Sequence, residues 1–473
     1  MLFDALADPS DKVALRFGDR TLTYRELRDA ATAVADRVAG RKRVAVWAVN
    51  EPEGAVAVIG ALLAGVPITP INPKAGEREL AHILADSAPE LVLIPPGAKV
   101  PDAVENRVEV DLAVRGGELP DEPGDEAPAI VVYTSGTTGP PKGAVLPRRA
   151  IASNLDALAA AWEWTGEDVV AHALPLFHVH GLILGTLGPV RRGGGMRHLG
   201  RFSAAAAAAA LGDDATMLFA VPTMYHRLAT EAETDAEVAR GFASARLLVS
   251  GSAALPAAEH ERIERLTGQK IAERYGMTET LMNTGVRASG ERRPGYVGPP
   301  LDGVELRLVD DDGHALETAD DETIGEIHVR GPNLFLEYLN RPDATAEAVV
   351  DGWFKTGDLA TRAPDGYIRI VGRRATDLIK SGGFKIGAGE IEGALLEHAA
   401  VRECAVTGEP DPDLGERIVA WVVVAEGESA SEDELSGHVA DLLTPHKRPR
   451  VVRFVDALPR NEMGKVQKKR LTV

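Results

Sequence analysis

Residues Ile130 to Val145 read IVVYTSGTTGPPKGAV, and this stretch decides how the chain is read. An apolar run of β-formers, Ile130-Val131-Val132-Tyr133, opens into Thr134, Ser135, Gly136, Thr137, Thr138, Gly139, Pro140, Pro141, Lys142 and Gly143. Each residue type there suits the holding of a polyphosphate. Gly136, Gly139 and Gly143 let backbone N–H groups approach anionic oxygens with no Cβ in the way. Thr134, Ser135, Thr137 and Thr138 supply hydroxyl donors, and Lys142 a compact positive charge. A flexible Gly/Ser/Thr linker is the plain alternative, but linkers seldom carry Pro-Pro-Lys-Gly directly after an apolar strand. The Walker pattern does not apply, because it needs Gly-Lys-Ser/Thr, whereas Lys142 stands between Pro141 and Gly143.

Outward from the loop, the bulk composition sets limits. At 473 residues the chain is too long for one core and is expected to divide into domains. With 71 acidic against 52 basic residues the net charge is −19, which argues against nucleic acid or an anionic membrane as a partner. An anionic substrate then needs a local basic pocket. Cys404 is the only cysteine, which fits a reducing compartment. MLFDALADPSDK has no basic n-region, and the longest apolar run, Ala55 to Ile68, is interrupted by Gly60, Gly65 and Pro67. The expectation is a cytoplasmic protein.

Upstream, Thr23 and Glu26 are spaced as a capping box for a helix to Val38. Strands near Val44–Val49 and Leu91–Ile94 alternate with helices at 51–64 and 77–86, a pattern of parallel sheets covered on both faces. Pro95 to Pro128 reads as a connection. Downstream, a helix over 149–162 precedes Leu174-Pro-Leu-Phe177-His178-Val-His180-Gly181. The two histidines lack a third ligand at metal spacing, and one packed plus one exposed His is the plain reading. Ala204 to Ala210 make a helix without chemistry. The strand exit at Gly251-Ser252-Ala253 offers backbone to a flat base, or is an ordinary tight turn.

Glu273-Arg274-Tyr275-Gly276-Met277-Thr278-Glu279-Thr280 is the second strong motif. Tyr275 offers an aromatic face, Thr278 a hydroxyl, and Glu279 a hard oxygen ligand for Mg²⁺. Alone, the octet also reads as a helix start with Thr278 as N-cap. Asp358, in Gly352-Trp-Phe-Lys-Thr-Gly-Asp358, can accept both hydroxyls of a ribose. Past Asp377-Leu-Ile-Lys-Ser-Gly382-Gly383 the pattern starts over as a small α+β unit. The expected domains are 1–375 and 376–473. The basic tail holds Gly464-Lys465 after a Pro-containing turn, which does not fit a merely frayed terminus.

Four separated segments together resemble the acyl-adenylate-forming superfamily of acyl-CoA synthetases, luciferases and adenylation domains. They are Tyr133–Gly143, Tyr275–Glu279, Thr356–Asp358 with Arg373, and Pro459–Lys465. The resemblance spans nearly the whole chain. It implies an α/β fold: a large N-terminal domain of stacked sheets with helices, and a small mobile α+β lid. It implies a reaction in which ATP and a carboxylate give an acyl-adenylate and pyrophosphate, after which a thiol takes the acyl group. Carried over residue by residue, Thr134 to Lys142 hold the β- and γ-phosphates. Thr278 touches the α-phosphate and Glu279 holds Mg²⁺. Gly251, Ser252, Ala253 and Arg274 to Met277 surround the nucleotide, and Asp358 and Arg373 hold the ribose. Lys465 bridges the α-phosphate and the carboxylate, and Gly382 and Gly383 lie at the CoA site. The hinge segment Gly372–Lys380 is one residue longer than in many members, which leaves Arg373 or Arg374 for the nucleotide and Thr376 or Asp377 for the pivot.

No carrier-protein domain follows, which points to free CoA as the thiol. The stretch from Leu281 to Pro300, LMNTGVRASGERRPGYVGPP, with Phe177 to Gly181 and Tyr275 to Asn283, resembles the malonyl-CoA synthetases, which implies a small dicarboxylic acid, malonate or methylmalonate. Arg292 is the expected partner of the distal carboxylate, with His180, Ser252 and Met282 nearby, because a buried unpaired anion is costly. Two solvated loop arginines, Arg292 and Arg293, are the plain reading. A short- or medium-chain monocarboxylate ligase is the alternative enzyme, and a silent nucleotide-binding protein the alternative of another class.

Overall fold

The computed structural model describes residues 2–134, 140–374, 377–382, 384–460 and 466–471. Three sheets build the larger part. The first runs, in spatial order, Glu337–Tyr338, Lys142–Pro147, Pro128–Thr134, Ile68–Ile71, Val44–Trp47, Val92–Ile94 and Arg107–Glu109. The second places Leu281–Gly285, Ile271–Met277, Leu247–Ser250 and Met217–Ala220 beside Val169–His172, Gly195–His198 and the hairpin Val13–Thr23. Pairing is mainly parallel in both, as the alternation of strands and helices predicts, with antiparallel strands at the edges. The third sheet, around Gly325–Arg330 and Trp353–Arg362, is antiparallel.

Local chemistry accounts for the elements. The helix Tyr24–Val38 starts on the capping box, Thr23 accepting from the Glu26 N–H and the Glu26 carboxylate from the Thr23 N–H. Its small residues lie against Pro52–Leu63, whose apolar residues are buried all round, so this pair fills the space between the first two sheets. One continuous core joins all three sheets, and a second underlies the alanine helix Ala204–Asp213. The connection expected over 95–128 contributes one short edge strand, Arg107–Glu109.

The chain from Leu378 to Phe454 forms a separate mixed sheet, with Gly415–Val424 between Val401–Asp411 and Val451–Phe454. The helices Ala388–Leu396 and Glu432–Leu442 cover it and enclose a core of their own. The chain is thus a mixed α/β protein with a large N-terminal part and a smaller C-terminal one.

Candidate active site

The Ile271–Met277 strand sets the centre of the site. Successive side chains on a strand face opposite ways, so Arg274 and Tyr275 point to different sides of the sheet. Tyr275 donates its hydroxyl proton to Asp358 Oδ2 at 2.6 Å. Asp358 lies within the strand Trp353–Arg362, directly opposite Arg373, and that register sets Arg373 Nε 3.0 Å from Asp358 Oδ1. Arg374 turns away to Asp311 and Glu326, so the extra hinge residue leaves Arg373 as the partner of Asp358. Asp358 is buried, and as an ionised carboxylate it offers acceptors only, the chemistry that suits hydroxyl donors.

Thr278, Glu279 and Thr280 form the turn between Ile271–Met277 and Leu281–Gly285, so no helix begins here. Gly276 has no alternative, because a Cβ would stand 2.0 Å from the Leu281 carbonyl oxygen. Glu279 is buried and accepts a 2.8 Å hydrogen bond from the Tyr338 hydroxyl. Lys142 Nζ lies 4.2 Å from the centroid of that same Tyr338 ring. One tyrosine therefore spaces the loop cation from the turn carboxylate, and its own hydroxyl is pushed up by burial and by Glu279. The motif reading missed Tyr338. Its strand, Glu337–Tyr338, is two residues long and pairs with Ala144 and Val145, a contact that only the fold creates. Glu279 as one buried hard-oxygen donor, with Lys142 across the Tyr338 ring from it, fits Mg²⁺, which takes one or two carboxylates plus phosphates and water.

On the other face of the strand Arg274 lies against Gly251, next to Ser252 and His180. Arg274 is buried, and its Nε and one Nη carry no hydrogen bond among the described residues. Burial pulls the guanidinium down to about 10, so it is a cation at neutral pH. Gly251 makes room for it, since a Cβ there would meet the guanidinium carbon at 2.2 Å. Ser252 holds a left-handed backbone with φ of 72°, uncommon for serine, and its Oγ lies 3.4 Å from His180 Nδ1. His180 opens a wide π-helical segment, His180–Leu187, invisible in the sequence pattern. Its Nε2 is buried without a partner among the described residues, and burial, then Arg274, hold the ring neutral. Half-buried His178 is also lowered, to about 4, by burial. Met282, buried beside these strands, is clamped by Asn154 through both its N–H and its carbonyl.

The Arg292 guanidinium donates to the backbone carbonyls of Lys270 at 2.5 Å and Ala288 at 3.3 Å. Arg293 pairs with Asp365 and lies over Tyr367, its guanidinium carbon 4.0 Å from the ring centroid. Arg274, unlike Arg292, is left with buried guanidinium nitrogens that have no partner among the described residues. Asp377 accepts from the Arg373 N–H at 2.9 Å, and Gly382 sits in a left-handed turn bonded to Leu414. Ser135, Gly136, Thr137, Thr138, Thr376, Gly383 and Lys465 lie outside the described residues.

The fold and these motifs define an adenylate-forming enzyme. The family of AMP-binding enzymes matches over residues 2–339, and the AMP-binding enzyme C-terminal domain over 390–465. The chain belongs to this family. Among its relatives, the mitochondrial malonate–CoA ligase of Mus musculus is 36% identical, over 97% of this chain and 89% of its own length. A malonyl-CoA ligase solved as a ternary product complex with methylmalonyl-CoA and AMP is 64% identical, with 97% of this chain and 100% of that one covered and a TM-score of 0.76. ATP-bound MatB from Rhodopseudomonas palustris is 35% identical, with 99% and 97% covered and a TM-score of 0.89.

Proposed function

We propose that this chain is an ATP-dependent ligase that converts malonate or methylmalonate and CoA into the acyl-CoA, releasing AMP and pyrophosphate. The observation that carries the choice of acid is buried Arg274, whose Nε and one Nη have no partner among the described residues. A buried cation without a counter-charge is costly, so the pocket calls for an anion that arrives with the substrate. A dicarboxylate supplies it: one carboxylate pairs with Arg274, His180 and Ser252, and the other faces the nucleotide side of the strand. A monocarboxylate would leave Arg274 uncompensated.

A carboxylate is a poor electrophile, and joining it to AMP supplies a leaving group. Its oxygen attacks the α-phosphorus, the bond to the β-phosphate breaks, and pyrophosphate departs. The CoA thiol then loses its proton, its sulfur attacks the acyl carbon, and AMP leaves. Asp358 and Arg373 hold the ribose, and Tyr275 offers its ring to the adenine. The loop ending at Lys142 takes the β- and γ-phosphates, and Thr278 meets the α-phosphate. Glu279 would hold Mg²⁺, which supplies charge neutralisation on the phosphates. Lys465 supplies the ammonium between the α-phosphate and the carboxylate.

A rotating lid bounded near Thr376 is supported by the superpositions: the 35% identical ATP complex fits better, at 0.89, than the 64% identical product complex, at 0.76. Identity alone would reverse that order. Near Gly382 the lid exposes Phe384, stacked on His446 at 4.1 Å beside Lys447, Arg448 and Arg450. Aromatic and basic chemistry together suit the adenine and phosphates of CoA. Among the described residues no helix is long and apolar enough to cross a membrane, which agrees with a cytoplasmic placement.

Pyrophosphate exchange with a panel of acids tests the reading. Exchange with malonate and methylmalonate well above acetate and butyrate is the expected result. Preference for butyrate would favour the monocarboxylate ligase, and no exchange with any acid a silent binder. Replacing Lys465 by Ala is expected to cost adenylation about 10²-fold more than thioesterification.

A further inference from the structure

One face of the helix Glu77–Ser87 holds the stems of the phosphate loop, a task no motif announces. In the hairpin that carries the loop, Tyr133 pairs with Gly143 and Thr134 with Lys142. Pro141 and Pro140 follow on the returning side and have no N–H to extend that ladder. The Pro141 carbonyl instead takes a 2.8 Å hydrogen bond from His82 Nε2. A carbonyl only accepts, so this contact places the proton on Nε2. The His82 ring also stands edge-on to Tyr133 at 6.2 Å between centroids.

Asp86 lies four residues after His82, on the same helix face. It accepts from the Tyr133 hydroxyl at 2.7 Å and from Asn340 Nδ2 at 3.0 Å. Asn340 follows the strand that carries Tyr338, which spaces Lys142 from Glu279. Both loop stems and the Tyr338 segment are therefore referred to one rigid helix.

We infer that His82 is a positioning residue for the triphosphate of ATP, acting through the Pro141 carbonyl to set Lys142 and the returning stem of the phosphate loop. Asp86 completes the brace through Tyr133 and Asn340. The inference rests on the ligase reading above. Because the loop meets the β- and γ-phosphates, the brace serves ATP binding and adenylation. It has no part in binding AMP or in thioesterification, where those phosphates have left.

The test compares the unaltered chain with His82→Ala, His82→Phe and His82→Gln. It measures malonate-dependent pyrophosphate exchange against ATP concentration, AMP binding, and thioesterification of synthetic malonyl-adenylate. His82→Ala and His82→Phe are expected to raise the KM for ATP about five- to tenfold, the size of one lost hydrogen bond. AMP affinity and thioesterification stay within about twofold, and the donor amide of His82→Gln recovers most of the KM. His82→Phe keeps an aromatic edge against Tyr133, so its defect isolates the missing donor. An unchanged KM for ATP in both donor-free variants overturns the inference, as does a parallel fall in AMP binding and thioesterification. Absence of exchange in the unaltered chain is a different failure, and it removes the ligase reading itself.

Discussion

The two faces of the strand Ile271–Met277 carry opposite electrostatic conditions. On the nucleotide face Asp358 is already held by Tyr275 and Arg373, and Glu279 by Tyr338. On the acid face Arg274 and His180 keep buried polar nitrogens with no partner among the described residues. The first arrangement has its charged groups already paired, which under the proposed function suits a neutral sugar and a base. The second leaves buried nitrogens without a partner among the described residues, which under the same proposal suits an anion. A satisfied site selects by shape, and an unsatisfied one by charge.

The contrast breaks most decisively at the two arginines. Replacing Arg274 by Ala is expected to lower kcat/KM for malonate about 10²-fold, whereas Arg292→Ala stays within about threefold, because only the first loses a charged hydrogen bond to substrate. Steady-state kinetics of the pair decides it, and the reverse order would restore Arg292 as the carboxylate partner. The same logic gives a stability outcome: Arg274→Met removes an uncompensated buried charge, so its ligand-free melting temperature should equal or exceed that of the unaltered chain.

On the satisfied face the effects run together. Asp358→Asn weakens the pairing with Arg373 and the ribose contacts at once. ATP affinity should fall about tenfold, and ligand-free stability by about 1–2 kcal/mol by urea denaturation. Loss of affinity with unchanged stability would mean that Asp358 is not structurally engaged.

The smallest effect concerns pH. Burial lowers His172, His178 and His180 from the ordinary value of 6.5, His178 to about 4. The unfolded chain binds these protons more readily than the folded one. Their contribution to stability is therefore complete above pH 6.5 and erodes as the pH falls towards 4. Urea midpoints at pH 7 and 5 should fall less in His178→Gln than in the unaltered chain, and equal falls would show that His178 titrates normally.

Much of the fold was legible because local signals agreed with the tertiary outcome. The Thr23–Glu26 box starts its helix, and Ser431 with Glu434 starts another. Glu273 to Thr280 was ambiguous alone, since Thr278 is a competent N-cap. Pairing with Leu281–Gly285 decided for strand and turn. The π-helical segment at His180 had no signal, because its apolar residues are buried all round and show no one-sided period.

By itself the sequence determined the chemistry on offer: a glycine- and hydroxyl-lined loop, a Tyr-Gly-Met-Thr-Glu turn, a ribose carboxylate, and a lysine near the end. Those are contiguous motifs, and contiguity survives without coordinates. Which arginine is buried with nitrogens that lack a partner among the described residues was decided only by tertiary structure. Arg274 and Arg292 are equally basic in sequence. Strand alternation, the missing Cβ of Gly251 and the approach of His180 leave the first buried with nitrogens that have no partner among the described residues, while nearby backbone carbonyls engage the second. Charge is a property of the residue, but whether it is satisfied depends on what the fold places around it.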